Sequence, residues 1–208
     1  MTTATRELIL DTAQTLVLSR GFAATSLDHL VETAGITKGA FFHYFKSKAD
    51  LAEALVERFA AQDMKLLSES FGQAERMTAD PLQQVFIVLG IFQNFFESQE
   101  GTPSGCLFAS YCYQSELLTE KNLRIINGNF ALWREAFADR YERAAKLYPA
   151  AQGADLKGLA DMATVMFEGA FVMAKTQRDP AVMVQQLLHY RRYVELVFGQ
   201  RPAATQVH

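Results

Sequence analysis

The chain has 208 residues, half of them apolar, and a net charge of −3 at neutral pH. That composition excludes a disordered polymer and supplies enough apolar side chain for one moderate core, or for a small domain beside a larger one. No stretch is long and uniform enough to span a membrane, and the N-terminus lacks a basic-then-apolar secretory pattern, so the chain reads as cytoplasmic, with its two cysteines as reduced thiols.

The first helix carries Leu8, Ile9, Thr12, Ala13, Leu16 and Val17 on one stripe, and Gly21 stops it. Thr25 stands where it can cap a second helix, with Asp28 three residues on completing a capping box. Leu27, Leu30, Val31 and Ala34 form its apolar stripe, His29 sits on its surface, and Gly35 ends it. Ile36 fills the angle before a third helix that Thr37 caps. Gly39 removes bulk from the first turn of that helix. Phe41 and Phe45 share its inward face, which leaves Ala40, Phe42, His43 and Tyr44 near the other side. Two short helices around a tight turn, the second beginning with small side chains and flanked by lysines, have the layout of a helix-turn-helix. Such a unit places its second helix in the major groove of duplex DNA. The acidic total does not oppose this. Residues 1–48 hold Arg6, Arg20, Lys38, Lys46 and Lys48 against Glu7, Asp11, Asp28 and Glu32, so the acidic excess lies elsewhere.

From about Ser47 a longer helix carries Leu51, Leu55, Phe59 and Leu66. Asp80 caps the next, Pro81 sits in its first turn, and Leu82, Val85, Phe86, Leu89, Phe92 and Phe96 give its buried face. Residues 97–105 form a loop, followed by a helix from Cys106 to about Leu118 and a long one through Leu123, Ile126, Phe130, Trp133, Phe137 and Tyr141. Residues 153–155 open a penultimate helix and Asp179-Pro180 the last. From Leu159 to Ala174 the penultimate helix is apolar nearly all round, and the last repeats this with residues such as Val182, Met183, Leu187, Leu188, Tyr193 and Val197. A helix apolar all round must be covered on two sides. The pair is therefore expected to meet its copy across a two-fold axis as a four-helix bundle, giving a homodimer.

The stretch from Arg6 to Leu55, with its TSLDHLVETAGI and TKGAFFHYF segments and a lysine after a short polar break, resembles the DNA-binding domain of the tetracycline-repressor-like (TetR) family of bacterial regulators. The resemblance implies an all-α fold with an N-terminal three-helix helix-turn-helix DNA-binding domain over residues 1–47. A larger helical effector-binding and dimerisation domain would follow over 48–200, and then a flexible tail over 201–208. It implies that Thr37, Lys38, Gly39 and Ala40 form the groove-entering turn, that His43 and Tyr44 touch bases or phosphates, and that Lys48 opens the next helix and contacts phosphate. Thr25 and Ser26, at the head of the second helix, join them as the expected DNA-binding set. Phe42 departs from the Tyr common at its position: it lacks a hydroxyl that can bond phosphate and keeps an apolar face for a thymine methyl. The helix from Ser47 would link the two domains mechanically, and two recognition helices would read a palindromic operator in successive major grooves.

The same analogy implies an effector pocket in the larger domain, with Trp133, Phe137, Phe167, Glu168 and Phe171 as candidate lining. The effector would be hydrophobic or electrophilic. Cys106 enters a predicted helix behind Thr102-Pro103-Ser104-Gly105, where unsatisfied amides favour thiolate. Its GCL context resembles a subgroup of the family that senses electrophiles or oxidants through this cysteine and carries a lysine near the end of the penultimate helix, here Lys175. A small packed residue without reactivity is the competing reading of Cys106, and Cys112, six residues on, fits mid-helix packing. No metal-ligand spacing and no phosphate loop stand out, so neither metal nor cofactor is expected and an enzyme is not. The expected function is a dimeric DNA-binding regulator, a repressor released by an effector or by modification of Cys106. The alternatives are a thiol-dependent enzyme using Cys106 and a ligand-binding bundle with a vestigial DNA head.

Overall fold

The computed structural model describes residues 2–99, 101–112, 114, 117 and 119–199, and among these the regular elements are nine α-helices. The segment 201–208, expected as a flexible tail, lies outside the described residues. The helices are α1 (Thr2–Arg20), α2 (Leu27–Thr33), α3 (Lys38–Tyr44), α4 (Lys48–Met77), α5 (Pro81–Glu97), α6 (Leu107–Cys112), α7 (Glu120–Ala144), α8 (Leu156–Gln177) and α9 (Ala181–Val197). They divide between two compact units. The first draws on residues up to Met64 and on Ser104–Asn129, the second on Lys65–Pro103 and on residues from Phe130 onward.

In the first unit α1 buries Ile9, Leu10, Ala13, Leu16 and Val17. Leu8, expected on this face, is exposed instead, because the stripe is centred on Ala13 and Val17 and Leu8 falls outside its arc at the helical period. The start of α4 adds Leu51, Ala52, Leu55 and Val56. Its first turn is closed reciprocally, with the Asp50 amide donating to Ser47 Oγ and the Asp50 carboxylate accepting from the Lys46 amide. Helix α6 contributes Leu107, Phe108 and Tyr111. The Tyr111 hydroxyl donates to the Ala52 carbonyl at 3.0 Å, and its ring packs 5.6 Å from that of Phe22.

Helix α6 is shorter than expected. The amides of Gln114 and Leu117 close bonds three residues back, to Tyr111 and Gln114, so the α-helical ladder is not continued at these two positions, and Leu118 lies outside the described residues. Cys106 precedes the helix rather than occupying its first turn, with its carbonyl accepting from the Ser110 amide at 3.3 Å. Cys112, expected in mid-helix packing, is its last residue and is exposed. In α7 the periodicity also misleads at one point: Leu123 is exposed while Asn122, Ile126 and Asn129 are buried. Both asparagines bury a carboxamide that has a partner, Asn122 donating to the Leu117 carbonyl and Asn129 to the Asp63 carboxylate.

The second unit holds the larger core. Asp80 caps α5 by accepting from the amides of Leu82 and Gln83, Pro81 fills the first turn, and Leu82, Val85, Phe86, Val88, Leu89 and Phe92 are buried. From α4 the buried residues are Leu67, Phe71 and Ala74, and the expected Leu66 is exposed, one residue out of register with that face. Helices α8 and α9 pack on one another, and α9 also packs on α5. Asp155 caps α8, and Asp179 accepts from the Ala181 amide at the start of α9. Both helices bury one face and leave apolar residues on the other: Met162, Val165, Val172 and Met173 on α8, and Leu188, Tyr193 and Leu196 on α9.

Candidate nucleic-acid interface

Helix α3 is built to present one face outward. Thr37 has extended backbone and its hydroxyl accepts from the Ala40 amide at 3.1 Å, which starts the helix at Lys38. Phe41 is fully buried, Phe45 nearly so, and their rings lie 5.7 Å apart. These two anchors fix the rotation of the helix. Thr37, Lys38, Gly39, Phe42 and His43 are then exposed, with Ala40 and Tyr44 half-buried. The turn before it needs Gly35 at φ 64°, the left-handed conformation that ordinary side chains resist.

Helix α2 differs from its sequence reading in one respect. Its cap is Ser26, whose hydroxyl accepts from the His29 amide at 3.1 Å, and not Thr25. Thr25 is only 4 % exposed, and its hydroxyl donates to the Gly21 carbonyl at 2.9 Å. The hydroxyl that closes α1 is therefore withdrawn from the surface, and Ser26 is the exposed one. Asp28 does not complete a capping box either. Its carboxylate lies 2.6 Å from the Lys38 ammonium, which joins α2 to the first turn of α3.

Two more contacts on this unit were not anticipated. Arg20 and His29 Nε2 are 3.0 Å apart. Lys48, expected to face phosphate, donates to the Phe22 carbonyl at 2.7 Å and stands 4.4 Å from the centre of the Phe22 ring. No sequence periodicity marks either pair, since each joins positions brought together only by the packing of α1, α2 and α4.

The expected effector residues fall in different places. Cys106 belongs to the first unit and is half-buried, whereas Lys175 lies exposed in the last turn of α8 in the second. Trp133, Phe137 and Phe167 are buried and come together: Trp133 stacks on Phe92 at 5.6 Å and Phe137 at 6.1 Å and meets Phe167 edge-on at 5.7 Å. Phe171 joins this cluster through Phe96 at 5.8 Å, and Glu168 is half-buried one residue beyond Phe167. These rings fill the core of the second unit. Among the described residues no group of three or more His, Cys, Asp or Glu side chains is placed to hold a metal ion, and no helix is long and apolar enough to cross a membrane.

Comparison with known proteins places this geometry in context. Residues 9–55 match the model for bacterial regulatory proteins of the tetR family. The HTH-type transcriptional repressor NemR of Escherichia coli K12 is 30% identical over 196 residues, covering 91% of this chain and 94% of NemR. The transcriptional regulator AcuR of Cereibacter sphaeroides is 25% identical over 164 residues, covering 77% of this chain and 72% of AcuR. The crystal structure of the reduced form of E. coli NemR superposes with a TM-score of 0.74 at 25% identity, covering 96% of this chain and all of that one.

Proposed function

The chain belongs to the tetR family of bacterial regulatory proteins, and we propose that it is a cytoplasmic, homodimeric transcriptional repressor that grips a two-fold symmetric operator with the α3 helix of each subunit. The observation that carries this reading is the outward face of α3. Lys38, Gly39, Phe42 and His43 are exposed on a helix whose rotation is fixed by the buried Phe41 and Phe45. In the proposed arrangement residues 1–47 are the reading head, and residues 48–200 bind the effector and the second subunit. Ser26, Thr37, Ala40, Tyr44 and Lys48 contribute backbone and side-chain contacts to phosphate or base edges.

Release follows from differential binding. An effector that favours a wider separation of the two heads lowers operator affinity by the margin with which it prefers that state. Two kinds of effector fit the residues, a reversible apolar ligand and an electrophile or oxidant acting on Cys106. The second is supported by the likeness to NemR, whose crystal structure is of a reduced form. A six-residue α6 adds little dipole to activate the thiol, so reactivity there depends on other neighbours of Cys106.

Footprinting the purified protein on DNA upstream of its own gene tests the main reading. Sequence-selective protection that weakens steeply with salt is expected, and uniform or absent protection counts against it. For the effector, Cys106→Ser is expected to bind the protected site normally while no longer being released by a thiol-alkylating electrophile. Release that persists in the variant points to a reversible ligand.

A further inference from the structure

We propose, building on the DNA-binding reading above, that Phe42 is a specificity residue that seats its ring on the C5-methyl group of a thymine in each half of the operator. Phe42 is 50% exposed, and its ring meets that of the buried Phe41 edge-on, 5.4 Å away and inclined at 84°. The ring is therefore braced from behind by a fixed core residue and offers its other side outward, on the same face of α3 as Lys38, Gly39 and His43.

A phenyl ring has no hydrogen-bond donor or acceptor. Of the groups that base pairs present in the major groove, the thymine methyl is the one whose contact it can gain from. Against the amino group of cytosine or adenine it would strip water and return nothing. Three of the cations on this unit already have a partner within the protein. Lys38 is paired with Asp28 at 2.6 Å, Lys48 with the Phe22 carbonyl at 2.7 Å, and Arg20 with His29 at 3.0 Å. Charge at this surface attracts the backbone of any sequence, whereas the exposed ring distinguishes one base.

Deoxyuridine pairs as thymine does and lacks only the methyl, so it isolates the contact. Duplexes enriched by the full-length protein from a random-sequence pool are resynthesised with each thymine replaced in turn by deoxyuridine, and affinity is read by fluorescence anisotropy. The wild-type protein is expected to lose about fourfold at one thymine per half-site, and about fifteenfold when both symmetric positions are changed. Phe42→Ala is expected to bind the thymine and deoxyuridine duplexes equally, and Phe42→Leu, still apolar, to keep part of the discrimination. Because half of the ring is exposed, both variants should keep the wild-type helical circular dichroism, and the wild-type measurement stands without them. Tolerance of deoxyuridine at every position, or a loss that persists unchanged in Phe42→Ala, overturns the proposal. Failure to enrich any duplex is a different result: it removes the DNA-binding reading, and this assignment falls with it.

Discussion

Tyr190 has one hydroxyl hydrogen and donates it to the Leu159 carbonyl at 2.7 Å, so the 2.8 Å contact with Tyr141 must be a bond in which Tyr141 donates. The chain Tyr141–Tyr190–Leu159 thus ties α7, α9 and α8 inside the core of the second unit. Removing the middle hydroxyl breaks two bonds and removing the first breaks one. Tyr190→Phe should cost about 2 kcal/mol and Tyr141→Phe about 1 kcal/mol in denaturant unfolding; equal costs would mean that the two hydroxyls do not act in series. Burial disfavours the phenolate of both residues and of Tyr111, pushing all three hydroxyls above the ordinary tyrosine range. The folded chain therefore holds these protons more tightly than the unfolded chain. The stability they contribute is complete below the unfolded tyrosine pKa near 10.0 and is lost as pH rises past it. Denaturant midpoints are expected to be flat on approaching pH 10 and to fall above it, with a shallower fall in Tyr141→Phe.

At the scale of the helix, Gly39 separates what the fold requires from what a DNA contact at this turn would require. A methyl group built there meets only Thr37 Oγ1 at 3.8 Å, and the residue has ordinary helical backbone, so nothing in the fold demands glycine. Gly39→Ala should stabilise the protein by about 0.5 kcal/mol in thermal unfolding, because alanine loses less backbone freedom in a helix. It should nevertheless weaken operator binding in anisotropy titrations if the first turn of α3 lies against the duplex. A variant that gains stability and binds DNA as well as the wild type would show that this turn stays clear of it. Helix α3 was legible in sequence because its signals are local: a threonine cap, a glycine in the preceding turn, and two phenylalanines one turn apart. Helix α5 was legible for the same reason, through Asp80-Pro81. The register of α2 was not, since Thr25 and Ser26 both offer a hydroxyl and only the Gly21 carbonyl decides which turns inward. The buried face of α7 was not legible either. Asn122 donates to the Leu117 carbonyl five residues back and Asn129 to the Asp63 carboxylate sixty-six residues away, and an asparagine carries no mark of such a partner in a hydropathy pattern. The outward face of α3 could be read from its sequence, but the pairing of its lysine with Asp28, and of Arg20 with His29, could not.

At the scale of the whole molecule, the proposed homodimer rests on the outer faces of α8 and α9. On α8, Met162, Val165, Gly169, Val172 and Met173 lie exposed on the side opposite the buried Ala160, Ala163, Phe167, Ala170 and Ala174. On α9, Leu188, Tyr193 and Leu196 do the same opposite Leu187, Tyr190 and Val194. Two packed helices that each leave an apolar stripe uncovered form the kind of surface that self-association buries. Val165 is 69% exposed and Leu196 59%, so a charge at either position costs the isolated chain little and a two-fold seam a great deal, because symmetry places the new charge on both partners. Val165→Glu with Leu196→Glu should sediment as a monomer with unchanged helical circular dichroism. The head of that monomer is intact, yet it holds one half-site alone, and at residues 1–48 its formal charge is near balance. Losing the second, tethered contact should reduce operator affinity by at least about a hundredfold. A double variant that becomes monomeric and still protects the full site at wild-type concentrations would show that the chain reads DNA singly. One that remains dimeric would move the interface away from α8 and α9.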